Sequence, residues 1–319
     1  MYYLDLPKPF FVLAPMDDVT DTVFRQVVAD CARPDLFMTE FVNVDGLQSP
    51  GRAKLLHKLI FSAKEKPIVA QIWGKQPENF YAVTKQLISM GFAGVDINMG
   101  CPVKTVVKNG CCIALINNRD LASEIIQAVQ KAAGKDFPVS IKTRLGLNEV
   151  DLSWLEFLLK HKLNMLTVHG RTAKQLSKVP PDWNLIGQIR ALRDKLSPST
   201  LMVGNGDVLT RQQGLKLAKK YKLDGIMIGR GVFDDPFVFA ADSPWQKYTK
   251  NQKIALYREH VELFTKTYKN GERSSHTLNK FCKIYINGFD GAKELREKFM
   301  AAPSTSELLN LIKDSYTHS

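Results

Sequence analysis

The chain has 319 residues, and its 44 Lys and Arg against 32 Asp and Glu give a formal net charge of +12 at pH 7. Apolar residues make up 45% and charged residues 24% of the composition, which excludes a disordered, collagen-like or disulfide-scaffold protein. No apolar run approaches the roughly 20 residues that span a bilayer, and the N-terminus lacks a signal-peptide pattern. We therefore expect a cytoplasmic protein with one large α/β domain or two smaller ones and no membrane segment.

The cysteines indicate the redox compartment and the absence of a metal site, and the net charge indicates the class of partner. Five cysteines, at positions 31, 101, 111, 112 and 282, form an odd and sparse set that favours a reducing compartment over a disulfide framework. No CxxC motif or closely spaced His pair occurs, so we expect no metal. The positive charge favours a polyanionic partner such as nucleic acid, because neutralising phosphates releases counterions. Charge alone also fits a basic protein that binds no nucleic acid.

Eight short apolar runs predict the strands of a parallel sheet, because strands buried on both faces are apolar almost throughout. In chain order these runs are Phe10–Met16, Asp35–Phe41, Pro67–Trp73, Gly94–Gly100, Pro138–Arg144, Met165–Arg171, Thr200–Asp207 and Gly225–Gly231. Amphipathic stretches of helical length separate most of them. The clearest are Glu78–Gly91 and Asp120–Gly134, each of which ends at a glycine as helices commonly do.

Eight strand–helix repeats predict an α/β fold of the (β/α)8 TIM-barrel type. A doubly wound sheet is the alternative, although no GxGxxG motif follows the first run. Polar and glycine residues gather at the C-terminal end of every run, and the C-terminal ends of barrel strands meet at the rim where active sites lie. These residues are Met16 and Asp17, Glu40, Gln71, Asn98, Lys142 and Arg144, His169 and Arg171, Asn205, and Gly229 and Arg230.

After about Trp245 the pattern is helical only. Five apolar residues have helical spacing: Ile254, Tyr257, Val261, Phe264 and Tyr268. Ser304 and Glu307 form a capping-box pattern that predicts the start of a last helix. We expect a barrel domain over residues 1–240 and a small all-helical domain over residues 241–319, which serves either as a binding module or as a stabilising extension.

Two glycine-rich turns, VGNGD and MIGRG, follow the last two runs. Glycine lets backbone N–H groups approach a phosphate closely, and barrels commonly bind phosphate at this place. Lys142 and His169 end the fifth and sixth runs, where a planar cofactor would lie over the barrel mouth. A lysine near an electron-accepting ring stabilises the negative charge that reduction creates. Together these features predict bound flavin mononucleotide (FMN).

Several segments resemble the signature blocks of the tRNA-dihydrouridine synthases, in the same order and at similar spacing. They are APMDDVTD, TEF, DINMGCP, SIKTRLG, VHGRT, GNGD and MIGRG, and they cover about residues 10–240. The resemblance implies an FMN-dependent barrel that reduces the uracil C5–C6 double bond in tRNA. It also implies that NADPH, or NADH, re-reduces the FMN. Because the bond reduced in the substrate joins two carbon atoms, the implied enzyme is an oxidoreductase of CH–CH groups. The helical tail would bind tRNA, and we expect a monomer.

The resemblance also implies roles for individual residues. Pro15, Met16, Asp17, Gln71, Lys142 and His169 would contact the flavin, and Asn205, Gly206, Asp207, Gly229 and Arg230 would hold its phosphate. Cys101 would be the general acid. Asn98, Arg144 and Arg171 would face the uridine.

The chemistry of a thiol suits the role implied for Cys101. A hydride from reduced FMN to uracil C6 leaves a carbon at C5 that needs a proton. A thiol with the ordinary pKa near 8.5 holds its proton at neutral pH and releases it readily, provided that nothing lowers the pKa. Cys101 begins a long connection that could cover the substrate.

The chain departs from the family pattern in two segments. Cys111 and Cys112 lie where the family has small residues, mostly glycine, and we interpret both as structural. Ser177 and Val179 replace a common Tyr and Gly in a segment expected near the substrate. Two other functions fit parts of the sequence: an FMN barrel that reduces a free pyrimidine or small enone, and a non-catalytic RNA-binding protein.

Overall fold

In the computed structural model, which describes residues 3–316, nine parallel strands form one sheet that closes almost completely into a barrel. They are β1 Phe10–Leu13, β2 Phe37–Met38, β3 Val42–Asn43, β4 Ile68–Trp73, β5 Gly94–Met99, β6 Val139–Arg144, β7 Met165–His169, β8 Leu201–Asn205 and β9 Gly225–Ile228. The order is β1-β9-β8-β7-β6-β5-β4-β2, and β3 also pairs with β4. A bridge between Val12 and Leu36 brings β1 beside β2. The predicted (β/α)8 barrel is confirmed.

The second predicted strand, over residues 35–41, is wrong in extent, because the chain forms only the short strands β2 and β3 there. Between them, the side chain of Thr39, rather than a backbone carbonyl, accepts a hydrogen bond from the neighbouring strand β4. Its hydroxyl accepts from the N–H of Gln71 at 3.0 Å and donates to the carbonyl of Glu40 at 2.7 Å. The strand is therefore interrupted where it reaches the rim.

Helices follow the strands and cover the barrel. They are α1 Thr22–Ala32, α2 Val44–Leu47, α3 Pro77–Ser89, α4 Lys104–Lys108, α5 Arg119–Ala133, α6 Leu152–Lys160, α7 Trp183–Leu196, α8 Arg211–Tyr221, α9 Gly231–Asp234, α10 Lys250–Thr267, α11 Asn279–Tyr285, α12 Ala292–Met300 and α13 Thr305–Asp314. Helices α3 and α5 confirm the two helices predicted most clearly. Within residues 3–316, no helix is long and apolar enough to cross a membrane.

The C-terminal helices α10 to α13 pack against the outside of the barrel through α1 and α9. The ring of Phe24 on α1 lies 5.0 Å from that of Phe281 and 6.0 Å from that of His260. Helix α13 begins as predicted, since Ser304 accepts from the N–H of Glu307 at 3.1 Å. Barrel and tail share one apolar core, and the domain division at residue 240 stays a prediction.

Arg273 fastens the tail to the rim of the barrel. Its guanidinium, only 4% exposed, lies 2.9 Å from Asp21, 3.4 Å from Glu40 and 3.1 Å from Asp18. Tyr268 also donates to Asp21 at 3.2 Å. Asp21 and Glu40 are themselves buried, and their carboxylates need cations nearby. Arg273 is the ion-pair partner of Asp21, whereas Glu40 also lies 3.8 Å from Lys58.

We expect Arg273→Ala to lower the free energy of unfolding by about 3–5 kcal/mol, because it leaves the buried carboxylate of Asp21 without its ion-pair partner and that of Glu40 with Lys58 alone. The matched control is Arg258→Ala in the same tail, which removes an ion pair to Glu262 whose side chains are both 50% exposed. That change costs less than about 1 kcal/mol. Urea unfolding of the three proteins measures both effects. Equal stabilities of the two variants would show that Arg273 does not hold the tail.

Candidate active site

A cavity of about 740 Å³ opens at the carboxyl ends of the strands. This volume lies within the range of about 300–1,000 Å³ found for cofactor and ligand sites. Most of the residues predicted for the site line it: Pro15, Met16, Lys142, Arg144, His169, Asn205, Gly206, Asp207, Gly229 and Arg230. The other predicted residues are not part of the cavity wall: Asp17, Gln71, Asn98, Cys101 and Arg171. The barrel therefore brings strand ends from across the sequence to one place.

The turns after β8 and β9 form one side of the cavity. Gly206 has φ +141°, and a Cβ there would lie 2.6 Å from Pro181, so the turn requires glycine. Within residues 3–316, the backbone N–H groups of Asp207 and Arg230 donate to no protein acceptor. Free N–H groups next to the half-exposed guanidinium of Arg230 are suited to an anion such as phosphate.

Asp207 joins two arginines beneath this turn. Arg171 binds both oxygens of its carboxylate, and Arg230 binds it at 2.7 Å. The hydrogen bond from Arg171 is the main cause that holds the pKa of Asp207 below its usual value. Arg171 is only 1% exposed and also donates to the carbonyl of Val179 at 2.5 Å. Arg171, predicted to face the uridine, is thus fully occupied within the protein.

His169 lies between the same arginine and the cavity. Its Nε2 is 3.2 Å from Nη1 of Arg171, and because an arginine can only donate, Nε2 is the acceptor. Burial and then the positive charges of Lys142 and Arg144 hold the pKa of His169 well below its usual value. A neutral imidazole with its proton on Nδ1 follows, which can donate a hydrogen bond but carries no charge.

Lys142 contributes an unpaired cation to the cavity wall. Among the described residues, its ammonium group makes no hydrogen bond or ion pair. Burial, and then the charge of Arg144, lowers its pKa to about 8. The group is therefore mostly charged at neutral pH, and a bound anion would raise its pKa again.

A chain of hydrogen bonds runs from the barrel interior to Cys101. Asp96 accepts from Nε2 of Gln71 at 2.7 Å, and Oε1 of Gln71 accepts from Nδ2 of Asn98 at 2.9 Å. Oδ1 of Asn98 accepts from the N–H of Gly100 and of Cys101 at 3.1 and 3.0 Å. Each amide orientation fixes the next one. Asn98, predicted to face the uridine, holds the backbone of Cys101 here.

Asp96 begins this chain and was not among the predicted site residues. It is fully buried and also accepts from Ser140 at 2.6 Å. Burial raises its pKa to about 6 against the effect of these hydrogen bonds. A single carboxylate inside an apolar strand is a signal that the sequence offers, because buried charges need partners.

The thiol of Cys101 is 8% exposed and lies close to the cavity. The neighbouring residue Gly100 accepts at its carbonyl from Nε of Arg144, a wall residue, at 3.0 Å. A hydrogen bond from Cys112, opposed by burial and assisted by a hydrogen bond from the backbone of Val103, lowers the pKa of Cys101 to about 7. The assumption that nothing lowers this pKa is therefore wrong. The thiol of Cys101 is therefore more acidic than an ordinary cysteine thiol.

The segment around Ser177 closes another side of the cavity. Ser177 is a wall residue, and the carbonyl of Leu176 accepts from Arg144 at 3.3 Å. Asp17 lies outside this wall, with a half-exposed side chain that pairs with Lys58.

No group of His, Cys, Asp or Glu side chains in residues 3–316 is placed to hold a metal ion.

Comparison with known proteins agrees with these features. The family model described as dihydrouridine synthase matches residues 12–318. The chain is 46% identical over 316 residues to the "Probable tRNA-dihydrouridine synthase" of Staphylococcus aureus strain COL, covering 98% of this chain and 95% of that protein. It is also 46% identical to the "Probable tRNA-dihydrouridine synthase 2" of Bacillus subtilis strain 168, and this match covers 98% of this chain and 96% of that protein.

Solved structures share the barrel at low sequence identity. Morphinone reductase matches 75% of this chain and 86% of its own with a TM-score of 0.52 and 13% identity. The match to a 2-naphthoyl-CoA reductase covers 72% of this chain and 49% of the reductase chain, with a TM-score of 0.57 and 12% identity. These two show the fold alone. The family model and the relatives of nearly equal length show that the chain belongs to the dihydrouridine synthase family.

Proposed function

We propose that this chain is an FMN-dependent tRNA-dihydrouridine synthase that reduces the C5–C6 double bond of specific uridines in tRNA. The observation that carries this proposal is the arrangement around one cavity, where a turn with free N–H groups and a free lysine line the wall. An acidic thiol, that of Cys101, follows Gly100, whose carbonyl binds the wall residue Arg144. The names of the relatives supply the substrate class. We further propose that the enzyme works as a cytoplasmic monomer.

The cavity wall fits FMN. The glycine turn at Gly206 and the free N–H groups beside Arg230 would hold its phosphate, and Lys142 and His169 would lie along its ring. When bound in the reduced form, which NADPH or NADH regenerates, FMN supplies the electron pair and the hydrogen that uracil gains at C6. The charge on Lys142 would favour the reduced, anionic ring.

Cys101 would supply the hydrogen that uracil gains at C5. Its thiol donates the proton, and Asn98 and Arg144 hold the backbone around it through Cys101 N–H and the Gly100 carbonyl. A donor whose pKa is close to the operating pH combines a sufficient protonated fraction with a strong tendency to release the proton. The lowered pKa of Cys101 therefore fits this role, with a narrower pH range than an ordinary thiol would have.

The tail would bind the body of the tRNA. A second cavity of about 540 Å³ lies between barrel and tail, and Phe233 and Asp234 belong to the walls of both cavities. Lys280 and Lys283 line the second one. An RNA strand that follows these lysines would pass Phe233 and Asp234, which belong to both cavities, on its way to the proposed active site.

We expect the purified protein to contain one FMN per chain, and Lys142→Ala to release it more easily or to accept electrons from NADPH more slowly. The variant removes the free cation beside the ring. Visible absorption during dialysis and stopped-flow reduction measure the two effects. Lys174→Ala, which removes an exposed lysine outside the cavity, is the matched control. Wild-type behaviour of Lys142→Ala in both assays would remove Lys142 from the site.

We expect Cys101→Ala to retain FMN and its reduction by NADPH while tRNA-dependent reoxidation slows by roughly 10²–10⁴-fold, the effect of losing a positioned general acid. Cys101→Ser recovers little, because a hydroxyl is a far weaker acid. Single-turnover oxidation of the pre-reduced enzyme by unmodified tRNA measures the rate. Cys111→Ala is the control and keeps the wild-type rate.

The pH dependence adds a second test of the same residue. A proton donor with a pKa of about 7 is protonated below that pH, so the single-turnover rate is constant at low pH and falls about tenfold per pH unit at high pH. Cys101→Ser loses this fall. A wild-type rate in Cys101→Ala, or a wild-type profile that rises above pH 7, would contradict the assignment.

We expect tRNA binding to weaken steeply with salt, and the double variant Lys280→Ala/Lys283→Ala to reduce the slope by about 0.7–0.9 for each phosphate that these lysines neutralise. Lys219→Ala/Lys220→Ala on α8 is a control of equal charge away from the second cavity. Filter binding across a salt series measures the slopes. If the two double variants behave alike, the tail lysines have no specific part in binding.

A further inference from the structure

Three cysteines form a small buried cluster at the edge of the proposed active site. Cys101, Cys111 and Cys112 pack together under the side chains of Phe41 and Trp73. The sequence offers Cys111 and Cys112 as an obvious pair, but neighbouring cysteines form strained bridges. The fold instead brings Cys112 to Cys101, eleven positions earlier in the chain.

The backbone at Cys112 is unusual. Its φ of +56° lies in the left-handed region, which costs a side chain with a Cβ roughly 1–2 kcal/mol. Gly110, two residues earlier, also has a positive φ of 75°. Strained backbone of this kind persists where the surroundings over-determine it, and it clusters at functional sites. With this conformation, Cys112 lies in the same buried cluster as Cys101.

The two thiols differ in character. The Cys112 thiol donates a hydrogen bond to Cys101 and favours ionisation of Cys101, whose pKa is lowered to about 7. Burial raises the pKa of Cys112 well above the ordinary value. Cys111 is set apart from this pair, since its thiol donates to the carbonyl of Asn109 at 3.7 Å and burial raises its pKa.

We propose that Cys101 and Cys112 form an oxidation site for hydroperoxides, in which Cys112 captures oxidised Cys101 as a disulfide. The pairing rests on thiol contact and on the backbone conformation at Cys112. Its effect on tRNA turnover rests on the proposed function, because the disulfide removes the thiol proton of Cys101. The disulfide itself forms whether or not the chain acts on tRNA.

Two steps balance the reaction. The Cys101 thiolate attacks hydrogen peroxide, forming an S–O bond and breaking the O–O bond, so that hydroxide leaves and a sulfenic acid remains. The Cys112 sulfur then attacks the Cys101 sulfur, forming the S–S bond and breaking the S–O bond. The departing oxygen takes the Cys112 proton and leaves as water. In total, two thiols lose two electrons and two protons, and peroxide becomes two waters.

The test uses the full-length protein with its bound flavin and no tRNA. After treatment with stoichiometric hydrogen peroxide, free thiols are alkylated and the protein is digested with trypsin. Cleavage after Lys104 and Lys108 separates Cys101 from Cys112, so a disulfide joins two peptides that mass spectrometry detects. We expect this linked pair in the wild type, and its disappearance after dithiothreitol together with the return of tRNA turnover.

Two isosteric variants identify the partner of Cys101. Cys111→Ser keeps the linked pair. Cys112→Ser loses it, and its Cys101 stops at the sulfenic acid with one equivalent of peroxide. A second equivalent takes this sulfenic acid to the sulfinic acid, which dithiothreitol does not reverse. The proposal is overturned if the wild type gives no linked pair and accumulates sulfinic acid, or if the link persists in Cys112→Ser. A linked pair in a protein without tRNA turnover would refute the proposed function and leave the oxidation site standing.

Discussion

The proposed active site depends on one constraint, which is that polar side chains buried at the ends of the barrel strands must find partners inside the protein. Asp96 cannot remain charged in the barrel interior without donors, and Ser140 and Gln71 provide them. Gln71 in turn orients Asn98, and Asn98 binds the N–H of Cys101. The requirement to satisfy one buried carboxylate thereby positions the proposed proton donor at the end of the strand.

The electrostatics of the cavity follow from an imbalance between cations and anions. Lys142, Arg144 and Arg230 line the wall together with the carboxylates of Asp207 and Asp234. A third arginine, Arg171, shares the carboxylate of Asp207 with Arg230, so the cations outnumber the anions. The remaining positive charge would be neutralised by the phosphate and the reduced ring of a flavin. His169 stays neutral in this surrounding and adds a hydrogen-bond donor without further charge. The site is thus adapted to bind anions.

Much of this arrangement could be predicted from the sequence, because strand periodicity and the position of polar residues at strand ends are local features. The barrel and the grouping of residues such as Lys142, His169 and Gly206 follow from them. The directions of side chains do not, since they depend on partners far along the chain. Arg171 binds Asp207, 36 positions later in the chain, and the contact of Arg273 with Asp21 joins positions 252 residues apart.

The acidity of the Cys101 thiol is a second property that could not be predicted from the sequence. The sequence provides the cysteine and its place after the strand, but the pKa depends on Cys112 and on the path of the chain between them. That path contains a left-handed backbone conformation at a residue other than glycine, which no local pattern predicts. The position of a functional group was therefore predictable here, whereas its chemical state required the folded structure.

Direct identification of the reaction product tests the central claim. The purified protein is incubated with NADPH and either an unmodified tRNA transcript or free uridine, and nucleosides are analysed by mass spectrometry. The account predicts that a tRNA uridine gains the mass of two hydrogens while free uridine remains unchanged. Reduction of free uridine with no change in the tRNA would contradict it.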